Sequence, residues 1–132
     1  MKTIFTNGCF DMIHAGHVRL LVHAKSLGDK LVVGINSDES VRRIKGPGRP
    51  YQSQEDRKFV LEQFAFVDEV IIFKEDTEYK TLERLMPDVT VKGSEWKGIL
   101  DVPEGIDIEY YDIGCVISKL SSSAYINDKK RN

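Results

Sequence analysis

The stretch Thr6-Asn-Gly-Cys-Phe-Asp-Met-Ile-His-Ala-Gly-His17 decides how this chain folds. A short apolar run, Lys2–Thr6, leads into it and reads as a buried strand. Beyond it, Ala15–Leu27 carries Val18, Leu21, Val22 and Ala24 or Lys25 at helical spacing, then Gly28 as a C-cap. The stretch is therefore a strand-to-helix turn. Gly8 lets the backbone turn sharply or come close to a ligand. His14 and His17 lie three apart at the helix start, so they share a face. Gly16 between them removes a side chain where a bulky anion would approach. Backbone N–H groups at a helix N-terminus favour phosphate, and two imidazoles there add donors. Histidines at this spacing also occur as structural pairs or weak metal sites. The strand–turn–His-x-Gly-His–helix frame favours the anion reading.

Outward from this turn, strands and helices alternate. Lys30–Asn36 is β-branched and apolar and reads as a second strand. Asp38–Ile44 follows as a short helix opened by Ser37 or Asp38, and Gly46-Pro-Gly-Arg-Pro50 stops it. Ser53 caps a helix to about Phe64, with Glu55 and Asp56 where the helix dipole favours acids. Val67–Phe73 is a third strand, Thr77–Leu85 a helix stopped by Pro87, Val89–Lys92 a fourth strand and Ile106–Tyr111 a fifth. A last helix is expected from Ser121, with a frayed basic tail at 129–131. The alternation predicts an α/β fold: a Rossmann-like three-layer sandwich, a mostly parallel five-stranded sheet with helices on both faces. Such sheets bind ligands at the carboxyl ends of their strands. Here these are the residues just after Thr6, Ile35, Lys92 and Tyr111.

Composition narrows the function. At 132 residues the chain reads as a single domain, residues 1–132. Hydrophobic residues make up 41% and charged residues 30%, which excludes a disordered or fibrous chain. Nineteen basic against twenty-one acidic residues give a net charge of −2, which disfavours binding to nucleic acid or an anionic membrane. Two cysteines, Cys9 and Cys115, make no secreted disulfide framework. The N-terminus lacks the long apolar segment of a signal peptide, so a cytoplasmic location is expected. The mean charge hides an asymmetry. Positions 41–58 hold six basic residues and two acidic ones, which suits a small anion or simply a solvated face.

These residues resemble a known family. GCFDMIHAGHVRLL is similar to the first motif of the HxGH nucleotidyltransferases, the cytidylyltransferase-like superfamily. VVGINSDESVRRIKGPGRP resembles its second-strand segment ending in a phosphate-binding lysine, and SQEDRKFVLEQF its central helix with an arginine. VDEVIIF, PDVTVKG and SSSAYI follow in the family's order. RIKGPGRP, FKEDT and LMPDVTVKG look most like heptose-1-phosphate adenylyltransferases. Gly93-Ser-Glu-Trp96 looks more like glycerol-3-phosphate cytidylyltransferases.

The resemblance implies transfer of a nucleoside monophosphate from a nucleoside triphosphate to a phosphorylated sugar or polyol, with Mg²⁺ as cofactor and a homodimer as assembly. The best match is ATP with heptose 1-phosphate. The alternatives are CTP with glycerol 3-phosphate, and a nucleotide-binding module without turnover. Residue by residue, it implies that His14 and His17 bind the triphosphate and that Lys45 bridges the phosphates of both reactants. Gly8, Cys9 and Phe10 would lie along the triphosphate through main-chain groups, near Gly16. Asp11 would orient the loop, and the backbone of Lys92 and Gly93 would read the base edge. Arg57 would serve the acceptor or the triphosphate, Trp96 would line the acceptor pocket or stack on the base, and Ser121 and Ser122 would hold the outer phosphates. No metal ligands are indicated. Ile117-Ser-Lys119-Leu120 departs from the family's glycine before that serine pair. Cys9 is expected to be a small buried residue, since this chemistry needs no covalent intermediate. His23 is expected on the outer helix surface.

Overall fold

A computed structural model describes residues 1–111. The expectations for Ser121, Ser122, the run at 117–120 and the last helix lie outside the described residues. Five strands, β1 (Thr3–Gly8), β2 (Lys30–Asn36), β3 (Glu69–Phe73), β4 (Val89–Gly93) and β5 (Asp107–Tyr111), form one sheet in the order β3-β2-β1-β4-β5. Every neighbouring pair is parallel. Four helices connect them: α1 (Ala15–Ser26), α2 (Asp38–Lys45), α3 (Gln54–Glu62) and α4 (Tyr79–Leu85). The expected α/β sandwich is what forms, and its sheet is wholly parallel.

Alternation along the strands builds the two faces. Ile4, Leu31, Val33, Ile35, Val70 and Val91 pack with Leu21 and Ala24 of α1 and Leu61 of α3. Phe5, Val32 and the half-buried Ile71 point the other way, to Leu82 of α4 and Ile106. Both faces are therefore covered, which is why the strands read as continuous apolar runs. Gly34 in mid-β2 makes room for this second layer. A Cβ there would stand 2.7 Å from the Phe5 ring and 3.3 Å from that of Phe73.

Helix ends follow their local chemistry. The Ser37 and Ser53 hydroxyls each accept from an N–H three residues on, Ser40 and Asp56, both at 3.2 Å. Asp38 and Glu39 open α2, and Arg42, Arg43 and Lys45 close it, matching the helix dipole at both ends. One expectation needs correction. The C-cap of α1 is Leu27, in right-handed geometry, and Gly28 is not a left-handed cap. A Cβ on Gly28 would stand 2.8 Å from both Ile4 Cγ1 and the Lys2 carbonyl. Glycine is there because the helix end passes tightly over the start of β1.

Candidate active site

The chain reverses its direction of travel across the sheet between β1 and β4, and open parallel sheets bind ligands at such a switch point. A cavity of about 590 Å³ opens there, within the range of small-molecule sites. The β1–α1 turn and Lys45 border one part of it, and Asn7, Glu78, Lys92 and Trp96 another.

The two histidines start α1 and arm the cavity with one arrangement. His14 is the N-cap. The Gly16 N–H donates to His14 Nδ1 at 3.0 Å, and the His14 N–H donates to His17 Nδ1 at 3.1 Å. This is a capping box with histidines in place of the usual Ser/Thr and Glu. A neutral imidazole has one donor and one acceptor nitrogen. With Nδ1 accepting in both rings, Nε2 carries the proton in both. The rings stack at 3.9 Å. Burial, the neighbouring His14 and the Lys45 charge push His17 down to about 4, and burial lowers His14 as well. Both rings are therefore neutral N–H donors near pH 7. Among the described residues, the buried His14 Nε2 has no hydrogen-bond partner. A buried donor left open costs free energy unless something accepts from it, and a phosphate oxygen in the cavity is a suitable acceptor.

The turn behind the histidines is strained and then clamped. Phe10 and Met12 sit at φ 49° and 64°, a region that side chains other than glycine enter at a cost. Phe10 is buried, with its ring centroid 5.4 Å from that of His17. Asp11, buried between them, accepts from the N–H groups of Tyr51 at 2.7 Å and Gln52 at 3.0 Å, and from Arg49 Nε at 3.2 Å. Its carboxylate thus ties the histidine turn to the loop after Lys45. Lys45 ends α2 and lines the same cavity. The Cys9 thiol is pushed up by burial and lies 3.8 Å from Asn36 Oδ1, which keeps it a protonated thiol at neutral pH.

Across the cavity the chemistry changes. Lys92 is 8% exposed, with Nζ 3.4 Å from Asn7 Oδ1 and 4.7 Å from the Trp96 ring centroid. Burial lowers its pKa, while Glu78 and Glu95 pull it back up. The Asn7 amide donates to Glu78 Oε2 at 2.9 Å.

Residues 5–131 match the family model described as cytidylyltransferase-like. The chain belongs to the cytidylyltransferase-like family. A bifunctional protein HldE from Campylobacter concisus (strain 13826) is 57% identical over 97 residues, 74% of this chain and 21% of that protein. The bifunctional protein HldE of Helicobacter pylori (strain P12) is 44% identical over 133 aligned positions, 98% of this chain and 28% of that protein. The chain thus spans about a fifth to a quarter of the length of the curated relatives it matches. The lipopolysaccharide core biosynthesis protein from Thermoplasma volcanium GSS1 shares the fold, with a TM-score of 0.70 at 25% identity over 85% of this chain and 99% of that one.

For this cytidylyltransferase-like chain, most of the expected site residues meet at one place. Gly8, Cys9, Phe10, Asp11, His14, Gly16, His17, Lys45, Lys92, Gly93 and Trp96 all line the cavity. Arg57 does not, which corrects its expected place beside the acceptor or the triphosphate. It is fully buried behind the turn. Its guanidinium donates to the carbonyls of Gln52 at 3.0 Å, Cys9 at 2.9 Å and Asn36 at 2.8 Å, and to Asp38 Oδ1 at 2.9 Å. It joins the ends of β1 and β2 to the starts of α2 and α3. His23 is also more engaged than expected: it stacks on Tyr111 at 4.4 Å and approaches Glu109 at 3.7 Å. Asn7 and Asn36, the residues just after Thr6 and Ile35, line the cavity as the strand-end rule expects, and the Asp76–Glu78 stretch, which sequence reading missed, lines it too. The strand-end rule points to Asp76–Glu78 once the end of β3 is counted with the others.

Proposed function

We propose that this chain is a nucleotidyltransferase that joins the phosphate of a phosphorylated sugar to the α-phosphorus of a nucleoside triphosphate. The observation that carries this reading is the paired neutral imidazoles, with the open His14 Nε2 donor, at the switch point beside Lys45. A phosphate oxygen of the acceptor forms a new bond to the α-phosphorus. The bond from that phosphorus to the β-bridging oxygen breaks, and its electron pair leaves with pyrophosphate. A phosphate monoester, with a second pKa near ~6, is largely dianionic at neutral pH, so no general base is required. The protein's task is to hold two anions in line and to place donors on the developing charge. The histidine N–H groups serve the α-phosphate, and Lys45 bridges the two reactants. The Gly8–Phe10 backbone lies along the triphosphate.

Among the described residues no group of three or more His, Cys, Asp or Glu side chains could hold a metal ion. The Mg²⁺ we propose travels on the triphosphate, as suits an ion that keeps most of its water and binds substrate phosphates. For the acceptor we propose heptose 1-phosphate with ATP. The resemblance of RIKGPGRP and LMPDVTVKG, the relatives named HldE and the likeness in fold to a lipopolysaccharide core biosynthesis protein support it. Glu95-Trp96 favours a second reading, glycerol 3-phosphate with CTP. No described helix is long and apolar enough to cross a membrane. We propose a cytoplasmic homodimer whose acceptor is phosphorylated by another domain or chain.

The test is a matrix of each nucleoside triphosphate against sugar and polyol phosphates, read as pyrophosphate release with and without chelator. ATP with heptose 1-phosphate, dependent on Mg²⁺, is the expected pair. Nucleotide binding without pyrophosphate release from any pair would leave a non-catalytic binding module.

A further inference from the structure

The cavity has two chemically different parts. On the histidine side, uncharged N–H donors and Lys45 suit phosphate. On the other, carboxylates predominate: Asp76, Glu78, Glu95 and Asp101 all line it, with Lys92 as the cation among them. A phosphate placed there would meet repulsion from Glu78, Glu95 and Asp101, while Asp76 is paired with Arg43. A neutral hydroxyl would not. Glu78 is 8% exposed, and its Oε2 is taken by the Asn7 amide. Glu78 lines the cavity, and a carboxylate has lone pairs beyond the one that the Asn7 amide takes. An ammonium has three donors. Lys92 spends one, on a long 3.4 Å bond to Asn7 Oδ1, and rests one side against the Trp96 ring. A carboxylate acceptor, an ammonium donor and an amide between them form a fixed row. Vicinal hydroxyls, each able to donate and accept, complement such a row, and the aromatic face beside it suits sugar C–H groups.

We propose that Asn7, Glu78, Lys92 and Trp96 form a subsite that reads the vicinal hydroxyls of a sugar, with Glu78 accepting from one hydroxyl and Lys92 donating to its neighbour. This deepens the proposed nucleotidyl transfer and rests on its placing a nucleotide and a phosphorylated sugar in this cavity. The hydroxyls belong either to the acceptor sugar or to the nucleotide's ribose. The assignment gives Lys92 a side-chain role in place of a main-chain contact to the base.

Trp96 is the sole tryptophan of the chain, so its fluorescence reports occupancy without any turnover. The full chain and the isosteric variants Glu78→Gln and Lys92→Met are titrated with a sugar 1-phosphate, its deoxy analogue, ATP, 2′-deoxy-ATP and pyrophosphate. Circular dichroism checks that each variant is folded, and either variant alone suffices. Relative to pyrophosphate, the variants should lose about tenfold or more in affinity for the hydroxylated ligand and much less for its deoxy partner. A loss confined to the sugar phosphate assigns the acceptor, and a loss confined to ATP assigns the ribose. Variants that bind every ligand in the same ratios as the parent overturn the subsite, as does a parent that binds hydroxylated and deoxy ligands alike. Binding as expected without pyrophosphate release would overturn the proposed transfer and leave the subsite standing.

Discussion

His17 is held by the contact that starts α1, so its position and its tautomer come from one hydrogen bond, His14 N–H to His17 Nδ1. In the proposed transfer, removing it removes a donor aimed at charge that develops in the transition state. His17→Ala should lower kcat about 10²–10³-fold, the usual cost of losing one such donor. Near-parent turnover would take His17 out of the mechanism. The same burial makes stability depend on pH. His17 takes a proton at its ordinary 6.5 when unfolded but only at about 4 when folded. Its contribution is therefore fully present above pH 6.5 and is lost as pH falls toward 4. Urea unfolding at pH 7 and pH 4.5 should show about 2 kcal/mol more acid loss in the parent than in His17→Asn. An equal loss in both would mean that the ring protonates freely. Arg57 acts differently. Removing a buried cation leaves Asp38 and three carbonyls without their donor, so Arg57→Ala should cost about 3–5 kcal/mol in urea unfolding. A cost below about 1 kcal/mol would show that these bonds contribute little.

The elements themselves were largely legible in the sequence. Apolar runs of strand length, serine caps and the breaks at Gly46-Pro47 and Pro87 carry their own local physics, and among the described residues each expected element formed within a few residues of its expected ends. What the sequence hid were contacts between segments far apart. Gly28 looked like a helix stop because glycine after a helix usually is one. Its actual reason, the Ile4 side chain and the Lys2 carbonyl, lies about 25 residues away. Gly28→Ala should therefore destabilise by about 1–3 kcal/mol through overpacking, measured as a lower urea midpoint. A neutral or stabilising result would mean that the helix end can lift from β1. Arg57 was misplaced for a similar reason: two of its acceptors, Cys9 and Asn36, are 48 and 21 residues distant. Glu78 escaped because nothing local distinguishes it from the exposed acids around it.

At the scale of the whole molecule, the basic run at 41–58 looked like the anion site. The fold spends much of it elsewhere. Arg43 pairs with Asp76, Arg49 with Asp11 and Arg57 with Asp38, and of the six only Lys45 lines the described cavity. The cavity instead gathers a helix start, two neutral imidazoles, Lys45 and Lys92 where a parallel sheet reverses direction. Such a site suits phosphate chemistry in which positioning and donors matter more than total charge. The motif order showed which residues would meet, while the sheet order explains why they meet there. In the proposed transfer the phosphorus attacked is the α-phosphorus of the triphosphate. Phosphorus NMR of the chain with ATP, Mg²⁺ and heptose 1-phosphate tests it most directly. The expected result is a pyrophosphate diester carrying the former α-phosphorus of ATP and the acceptor's phosphate, with free pyrophosphate in equal amount. Formation of ADP and inorganic phosphate, with the acceptor's signal unchanged, would contradict it.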